Sequence, residues 1–308
     1  MIEIKNLTKS YGSIRAIENL NFKVNKGEVV GFLGPNGAGK STTMKIITGY
    51  MAPTSGLVKV AGYDVFENPI EVKKKIGYLP EIPPVYLDMQ VNDYLTYVAQ
   101  LKQVPKAELS KKVQRAIEKT YLGEVQKRLI GNLSKGFKQR VGIAEAIVSE
   151  PEILILDEPT VGLDPKQVAE IRTLIQTLSG DHTVILSTHI LPEVQATCKR
   201  IIIINKGKIV AEDTLEGLNR KMRGSHQILL KVKNPSESLK SQLKSLNGVL
   251  EIQEKGEGSL IIDTTEPDDV IMERIAQVTI QIHAGLTELR HLEGNLEEIF
   301  IKLTSSNA

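Results

Sequence analysis

The 308-residue sequence is poor in several things that would each imply a particular setting. It has one cysteine, Cys198, so no internal disulfide can form and a reducing compartment is expected. Charge of one sign is also scarce: 39 Lys and Arg face 37 Asp and Glu, a net charge of +2. Nothing therefore draws the chain as a whole toward nucleic acid, which leaves room only for a local basic patch. No apolar run nears the roughly 18 to 20 residues that span a bilayer. The densest run, residues 201–204, reads as a buried strand. The first five residues, Met1-Ile2-Glu3-Ile4-Lys5, open like a strand and lack the charged-then-apolar layout of a signal peptide. The expectation is a soluble, cytoplasmic chain whose membrane role, if it has one, runs through a partner.

What is present is a sizeable core. Hydrophobic residues make up 41% of the chain, which excludes wholesale disorder, and the length suits two domains. Strand-like pieces with turns at Tyr11-Gly12 and Asn25-Lys26-Gly27 fill the first thirty residues or so. Residues 28–33 read as a buried strand and residues 40–48 as a helix stopped by Gly49. Strand character resumes at 57–61. Helical spacing dominates from about 81 to 150, after Pro80, Pro83 and Pro84 break the chain. The runs 153–156, 183–186 and 201–204 are the apolar, β-branched type expected of parallel strands covered on both faces. Asp164-Pro165 starts a helix with a capping carboxylate and a proline at the first helical position.

Three segments carry chemistry. Gly34-Pro35-Asn36-Gly37-Ala38-Gly39-Lys40-Ser41 fits G-x-x-x-x-G-K-[ST] between a strand and a helix. Small residues before a helix let backbone N–H groups turn onto phosphate oxygens, and the helix terminus adds positive potential. Lys40 would reach the β- and γ-phosphates, and Ser41 would offer its hydroxyl to Mg²⁺. The second segment, residues 153–158, gives four apolar residues and then Asp157 and Glu158. A carboxylate at the end of a buried strand is costly unless it meets a cation, and a hydrated Mg²⁺ beside the phosphates would supply one. Glu158 could orient the water attacking a γ-phosphate. The third, Leu133-Ser134-Lys135-Gly136-Phe137, opens a helix with a good N-cap that would favour a terminal phosphate; taken alone, the segment reads first as an ordinary cap. Lys135, Lys138 and Arg140 read most simply as a solvated helix start, and His182, His226, His283 and His291 show no ligand spacing.

The order of these motifs over residues 1–222 resembles the nucleotide-binding subunits of ABC transporters. The phosphate loop corresponds to Walker A, residues 133–137 to the family signature, and the strand ending at Asp157 to Walker B. What the resemblance implies is an α/β, P-loop NTPase ATPase domain with a helical subdomain at about 81–150. It also implies that Tyr11 stacks on adenine, that Thr42 joins residues 34–41 in binding phosphates, and that Glu158 is the catalytic glutamate. Gly162-Leu163-Asp164 would be the D-loop, His189 the switch histidine, and Ser41, Glu81 and Asp157 the groups serving Mg²⁺. The family architecture implies a head-to-tail dimer, expected as a homodimer, in which residues 134–137 of one chain face ATP held by the other. A separate integral-membrane permease would hold the ATPase at the inner face of the cell membrane. Three departures stand out: Glu81 replaces a usual glutamine, Lys135 a glycine and Phe137 a glutamine.

The tail from Asn295 to Thr304 looks like the C-terminal extension of exporter-type ATPases of the drug, polysaccharide and gliding-motility-associated branches, nearest the last of these through Tyr-Leu-Pro-Glu and Leu-Ser-Lys-Gly. Residues 223–308 read as a small α+β domain in the split βαβ, ferredoxin-like order. Its expected strands are 228–232, 249–252, 260–262 and 278–282, its helices 236–246 and 268–275, with a closing helix at 296–303. No metal motif, glycine-rich loop or nucleophile pattern marks it. The function expected is an ATP-hydrolysing subunit of an exporter, with no nucleic-acid partner. A soluble ABC-type ATPase acting on DNA or ribosomes is the rival, opposed by the lack of a long coiled-coil insertion, a zinc-type cysteine set and a second cassette. An ATP-binding regulator that does not hydrolyse is a further alternative, disfavoured by the presence of both Asp157 and Glu158.

Overall fold

The computed structural model describes residues 1–215, 217–218, 226–256, 258–265, 268–292 and 300. These fall into two compact units, the first built on Met1–Thr214 and the second beginning at Leu215. In the first unit, strands β1 (Ile2–Tyr11) and β2 (Ile14–Val24) lead into β3 (Val29–Leu33) and α1 (Lys40–Ile47). Then come β4 (Ser55–Val60), β5 (Tyr63–Asp64), α2 (Pro69–Lys75) and β6 (Ile76–Leu79). Helices α3 (Val91–Leu101), α4 (Lys106–Lys119) and α5 (Lys135–Ile147) form the expected helical insertion before β7 (Ile153–Asp157). The unit continues through α6 (Pro165–Leu178), β8 (Thr183–Thr188), α7 (Leu191–Thr197), β9 (Arg200–Asn205) and β10 (Lys208–Thr214).

An antiparallel sheet of order β2-β1-β4-β5 stands beside a six-stranded sheet of order β10-β9-β3-β8-β7-β6. Within the larger sheet only the edge pair β9–β10 is antiparallel; β3, β6, β7, β8 and β9 pair in parallel. The apolar runs follow from this, because β3, β7 and β8 are buried at every position, as strands covered on both faces must be. The two sheets share a core in which Phe22 of β2 meets Phe32 of β3 with ring centroids 5.6 Å apart. The register sets the site: β8 lies between β3 and β7 and pairs Leu33 with Thr188 and Asp157 with Ser187. The C-terminal ends of the neighbouring central strands β3, β8 and β7, which carry the phosphate loop, His189 and the carboxylates, therefore come together.

The second unit contains β11 (His226–Val232), α8 (Glu237–Lys244), β12 (Val249–Glu254), β13 (Ser259–Thr264), α9 (Asp268–Gln281) and β14 (Leu286–His291). Its fully antiparallel sheet has the order β12-β13-β11-β14, which is the ferredoxin-like arrangement. One expectation is corrected here. Residues 278–281 are the last turn of α9 and Ile282 lies in the turn that follows, so this run is not a strand, and the final strand is β14. Tertiary packing overrides β-propensity: Ile271, Ile275 and Thr279 bury one helical stripe in this unit's core, and the Thr279 hydroxyl donates to the Ile275 carbonyl at 2.7 Å. The closing helix expected at 296–303 lies outside the described residues. None of the described helices is long and apolar enough to cross a membrane.

Candidate active site

Between β3 and α1 the chain makes the turn that the sequence demanded. Gly37 and Gly39 adopt φ of +78° and +106°, values that a side chain resists, and Gly39 caps α1 without a side-chain bond. Gly34 and Ala38 are buried and form the back of the loop. In front lies a cleft of about 520 Å³, lined by Asn36, Gly37, Gly39, Lys40, Ser41 and Thr42 on one side and by Glu81, Glu158 and His189 on the other. Ala16 and Val161 complete its wall and carry no sequence signal. The volume lies in the range of small-molecule sites, roughly 300–1,000 Å³.

Three ionisable groups meet in this cleft. The Lys40 ammonium donates to the carbonyls of Gly34 at 2.8 Å and Pro35 at 3.2 Å, and pairs with Glu158 Oε1 at 3.2 Å. Glu158 Oε2 lies 2.9 Å from His189 Nδ1. Lys40 and Glu158 are both buried, while His189 is partly open. Glu158 leaves the strand with φ of +50°, and its N–H donates to the Ser187 carbonyl at 2.8 Å. That bend turns its carboxylate into the cleft rather than along the strand. Lys40 is thus engaged by its own loop and by Glu158, the partners that phosphate oxygens would displace.

Asp157 lies behind this layer, 2% exposed, and its Oδ1 has no hydrogen-bond partner. Burial pushes its carboxyl above the usual range, while the neighbouring Ser187 and Ser41 hydroxyls and Lys40 pull the other way. An orphaned carboxylate oxygen beside the Ser41 hydroxyl is chemistry suited to a hard cation. The described residues include no cluster of three or more His, Cys, Asp or Glu side chains that would cage a metal alone.

The remaining expected residues lie elsewhere. Ser134 caps α5 and accepts from the Phe137 N–H at 3.4 Å. Together with Gly136 and Phe137 it borders a separate small hollow shared with Arg140, Gln167 and Glu170. Lys135 is exposed and reaches over Gly162. Asp164 accepts from the Gln167 N–H at 2.9 Å as the cap of α6. Arg140 departs from the solvated role expected of it: its guanidinium pairs with Glu170 at 2.6 Å and stacks over the Tyr121 and Phe137 rings. Tyr11 is half exposed; its hydroxyl meets Met51 Sδ at 2.8 Å, the Lys9 ammonium sits over its ring, and it does not line the cleft. Sequence reading also passed over Glu193, a buried acid on α7 bonded to Thr160 and Thr188.

The fold and this cleft define a phosphate-loop nucleotide-binding protein. Residues 17–161 match the family described as ABC transporter. The chain is 36% identical to the bacitracin transport ATP-binding protein BcrA of Bacillus licheniformis, over 79% of each protein. It is 33% identical to the linearmycin resistance ATP-binding protein LnrL of Bacillus subtilis (strain 168), over 99% of this chain and 98% of that one. Among solved structures, the dimeric post-hydrolysis state of the ATP-binding cassette MJ0796 bound to ADP and Pi is similar, with a TM-score of 0.64 and 28% identity, covering 70% of this chain and 98% of that chain. The chain belongs to the ATP-binding subunits of ABC transporters, and it is an ATPase that energises transport. The rival reading, a soluble ATPase serving DNA or ribosomes, is not favoured by these relatives.

Proposed function

We propose that two copies of this chain, each an ATPase domain of residues 1–222 followed by an accessory domain of 223–308, hold ATP between them and drive a separate membrane permease acting as an exporter. The observation that carries this reading is the separation of the two phosphate-directed surfaces within one chain. The loop at 34–42 faces one cleft, and Ser134, Gly136 and Phe137 border another. A single copy thus has two halves of different sites, and head-to-tail pairing would complete both. The names of the relatives point to antimicrobial compounds as the cargo class. The protein would sit at the cytoplasmic face of the membrane through its permease.

In this reading the loop N–H groups and Lys40 hold the phosphates, and Thr42 extends the cradle. Tyr11 would close over adenine after leaving Met51. Ser41, Asp157 and Glu81 would hold Mg²⁺, which when bound supplies positive charge against the phosphates. Glu158 orients the attacking water and accepts its proton, released for that task when Lys40 transfers to phosphate. His189 holds Glu158 in place and donates toward the γ-phosphate. Ser134, Gly136 and the start of α5, with Lys135 and Phe137 beside them, approach the same phosphate from the second chain, and Asp164 lies at the junction. ATP binding closes the dimer, and hydrolysis with product release reopens it. The test is Mg²⁺-dependent ATP hydrolysis across protein concentration, beside Glu158→Gln. Specific activity that rises with concentration and is lost in the variant supports the reading; wild-type turnover in the variant removes Glu158 from its role.

A further inference from the structure

Glu193 is an acid for which the reaction described above has no use. It sits in the first turn of α7, is 2% exposed, and forms no ion pair among the described residues. Such a carboxylate is costly to bury and persists where hydrogen bonds compensate it. Both of its oxygens are used. The Thr160 hydroxyl donates to Oε1, and the Thr188 hydroxyl donates to Oε2 at 2.8 Å. The Thr188 oxygen in turn accepts from the Ile190 N–H at 3.0 Å, so that hydroxyl has its proton committed to Glu193.

The two threonines belong to the two segments that carry the reacting groups. Thr160 follows Glu158 by two residues, on the turn that continues to Gly162 and Asp164. Thr188 ends β8 and immediately precedes His189. These segments are bonded on the cleft side by the Glu158–His189 contact at 2.9 Å and at their base by the Glu158 N–H to Ser187 carbonyl bond. Glu193 supplies a third bond on the far side. Within α7 the Thr197 hydroxyl donates to the Glu193 backbone carbonyl at 2.6 Å, leaving both carboxylate oxygens to the threonines.

We propose that Glu193 is a positioning residue, a buried clamp that joins the turn after Glu158 to the segment bearing His189 and so fixes these two groups in register across the phosphate cleft. The inference rests on the roles given above to Glu158 and His189. Burial raises the carboxyl of Glu193, and the Thr160 and Thr188 hydroxyls oppose that rise. Because the clamp touches neither phosphate nor water, its loss should misplace the reacting groups without removing a nucleotide contact. A shift of about 1 Å in such groups costs on the order of 100-fold in rate.

The experiment measures kcat, KM and the affinity for a fluorescent ATP analogue in the full-length chain for Glu193→Ala, Glu193→Gln, Thr160→Val, His189→Ala, Glu158→Gln and the double variant Glu193→Ala/His189→Ala, with a melting curve for each. Glu193→Ala is expected to lower kcat by roughly 10- to 100-fold while analogue affinity stays within about 2-fold. Thr160→Val should share the direction with a smaller loss. Glu193→Gln should recover part of the rate, because an amide keeps one acceptor. The double variant should be no slower than His189→Ala alone, since residues acting as a unit are non-additive. If Glu193→Ala does not fold, Glu193→Gln and Thr160→Val decide. Wild-type kcat in both, a cost fully additive with that of His189→Ala, or equal losses in kcat and affinity would each overturn the clamp. Failure of the parent reading looks different: His189→Ala and Glu158→Gln would then retain wild-type turnover whatever Glu193 does.

Discussion

On the roles proposed above, in which Lys40 holds phosphate, Glu158→Gln should tighten ATP binding even as it abolishes turnover, because the Lys40–Glu158 pair must break before phosphate can take Lys40. The two side chains are 6% and 5% exposed and their charged atoms lie 3.2 Å apart. At an effective dielectric constant of about 20 the gross attraction is about 5 kcal/mol. Desolvation offsets part of this, and after the substitution Lys40 keeps the Gly34 and Pro35 carbonyls. The net loss to the free chain should therefore fall to about 1–3 kcal/mol, the cost of one charged hydrogen bond rather than of a stranded charge. Phosphate oxygens must break the same pair, so its absence should tighten binding of a non-hydrolysable ATP analogue by about 10-fold, while kcat drops by roughly 100- to 10,000-fold. Calorimetric titration of both proteins, with melting curves of the free chains, tests the argument. Analogue affinity that is equal or weaker in the variant, with an unchanged melting temperature, would show that Lys40 and Glu158 do not oppose nucleotide binding.

Other expectations follow from the same geometry. Asp157→Asn removes a buried carboxylate that the free chain does not hydrogen-bond through Oδ1, so the melting temperature should stay level or rise, whereas the Mg²⁺ dependence of nucleotide binding should disappear. Glu145, raised by burial against the opposing Tyr94 hydroxyl and Lys102, holds its proton more tightly folded than unfolded. Its contribution to stability is therefore full below the unfolded value of about 4.5 and is lost as pH rises through the raised folded value; Glu145→Gln should flatten that fall in urea midpoints measured across pH. Gly77 on β6 packs directly on the Ala146 carbonyl of α5, so Gly77→Ala should destabilise the chain by about 1–3 kcal/mol in urea unfolding, far from the cleft.

The phosphate loop was legible because its function lies in backbone shape, which glycines, a lysine and flanking elements declare in a short stretch of sequence. The buried strands were legible for the same reason, as apolar runs with no alternation. Strand β10 was not: Lys208, Glu212 and Asp213 give an edge strand no apolar signature. The run at 278–282 misled because local β-branching yields to the buried stripe of Ile271 and Ile275. Glu193 was invisible in principle. A lone glutamate after a proline has no pattern, and its meaning arises only when β7 and β8 pair and bring Thr160 and Thr188 to either side of it. The Lys40–Glu158 pairing is likewise a product of register, since 118 residues separate its members.

The central claim, that each ATP site is completed by a second chain, is tested most directly by mixing two inactive variants. Lys40→Ala disables the phosphate loop, and Gly136→Asp places a negative charge where the other chain should approach phosphate. Each alone should be inactive. In an equal mixture about half the dimers pair the two variants, and each such dimer has one intact loop facing one intact residue set 134–137, so activity should return to about a quarter of the wild-type level. No recovery on mixing, or full activity in Gly136→Asp alone, would contradict the account.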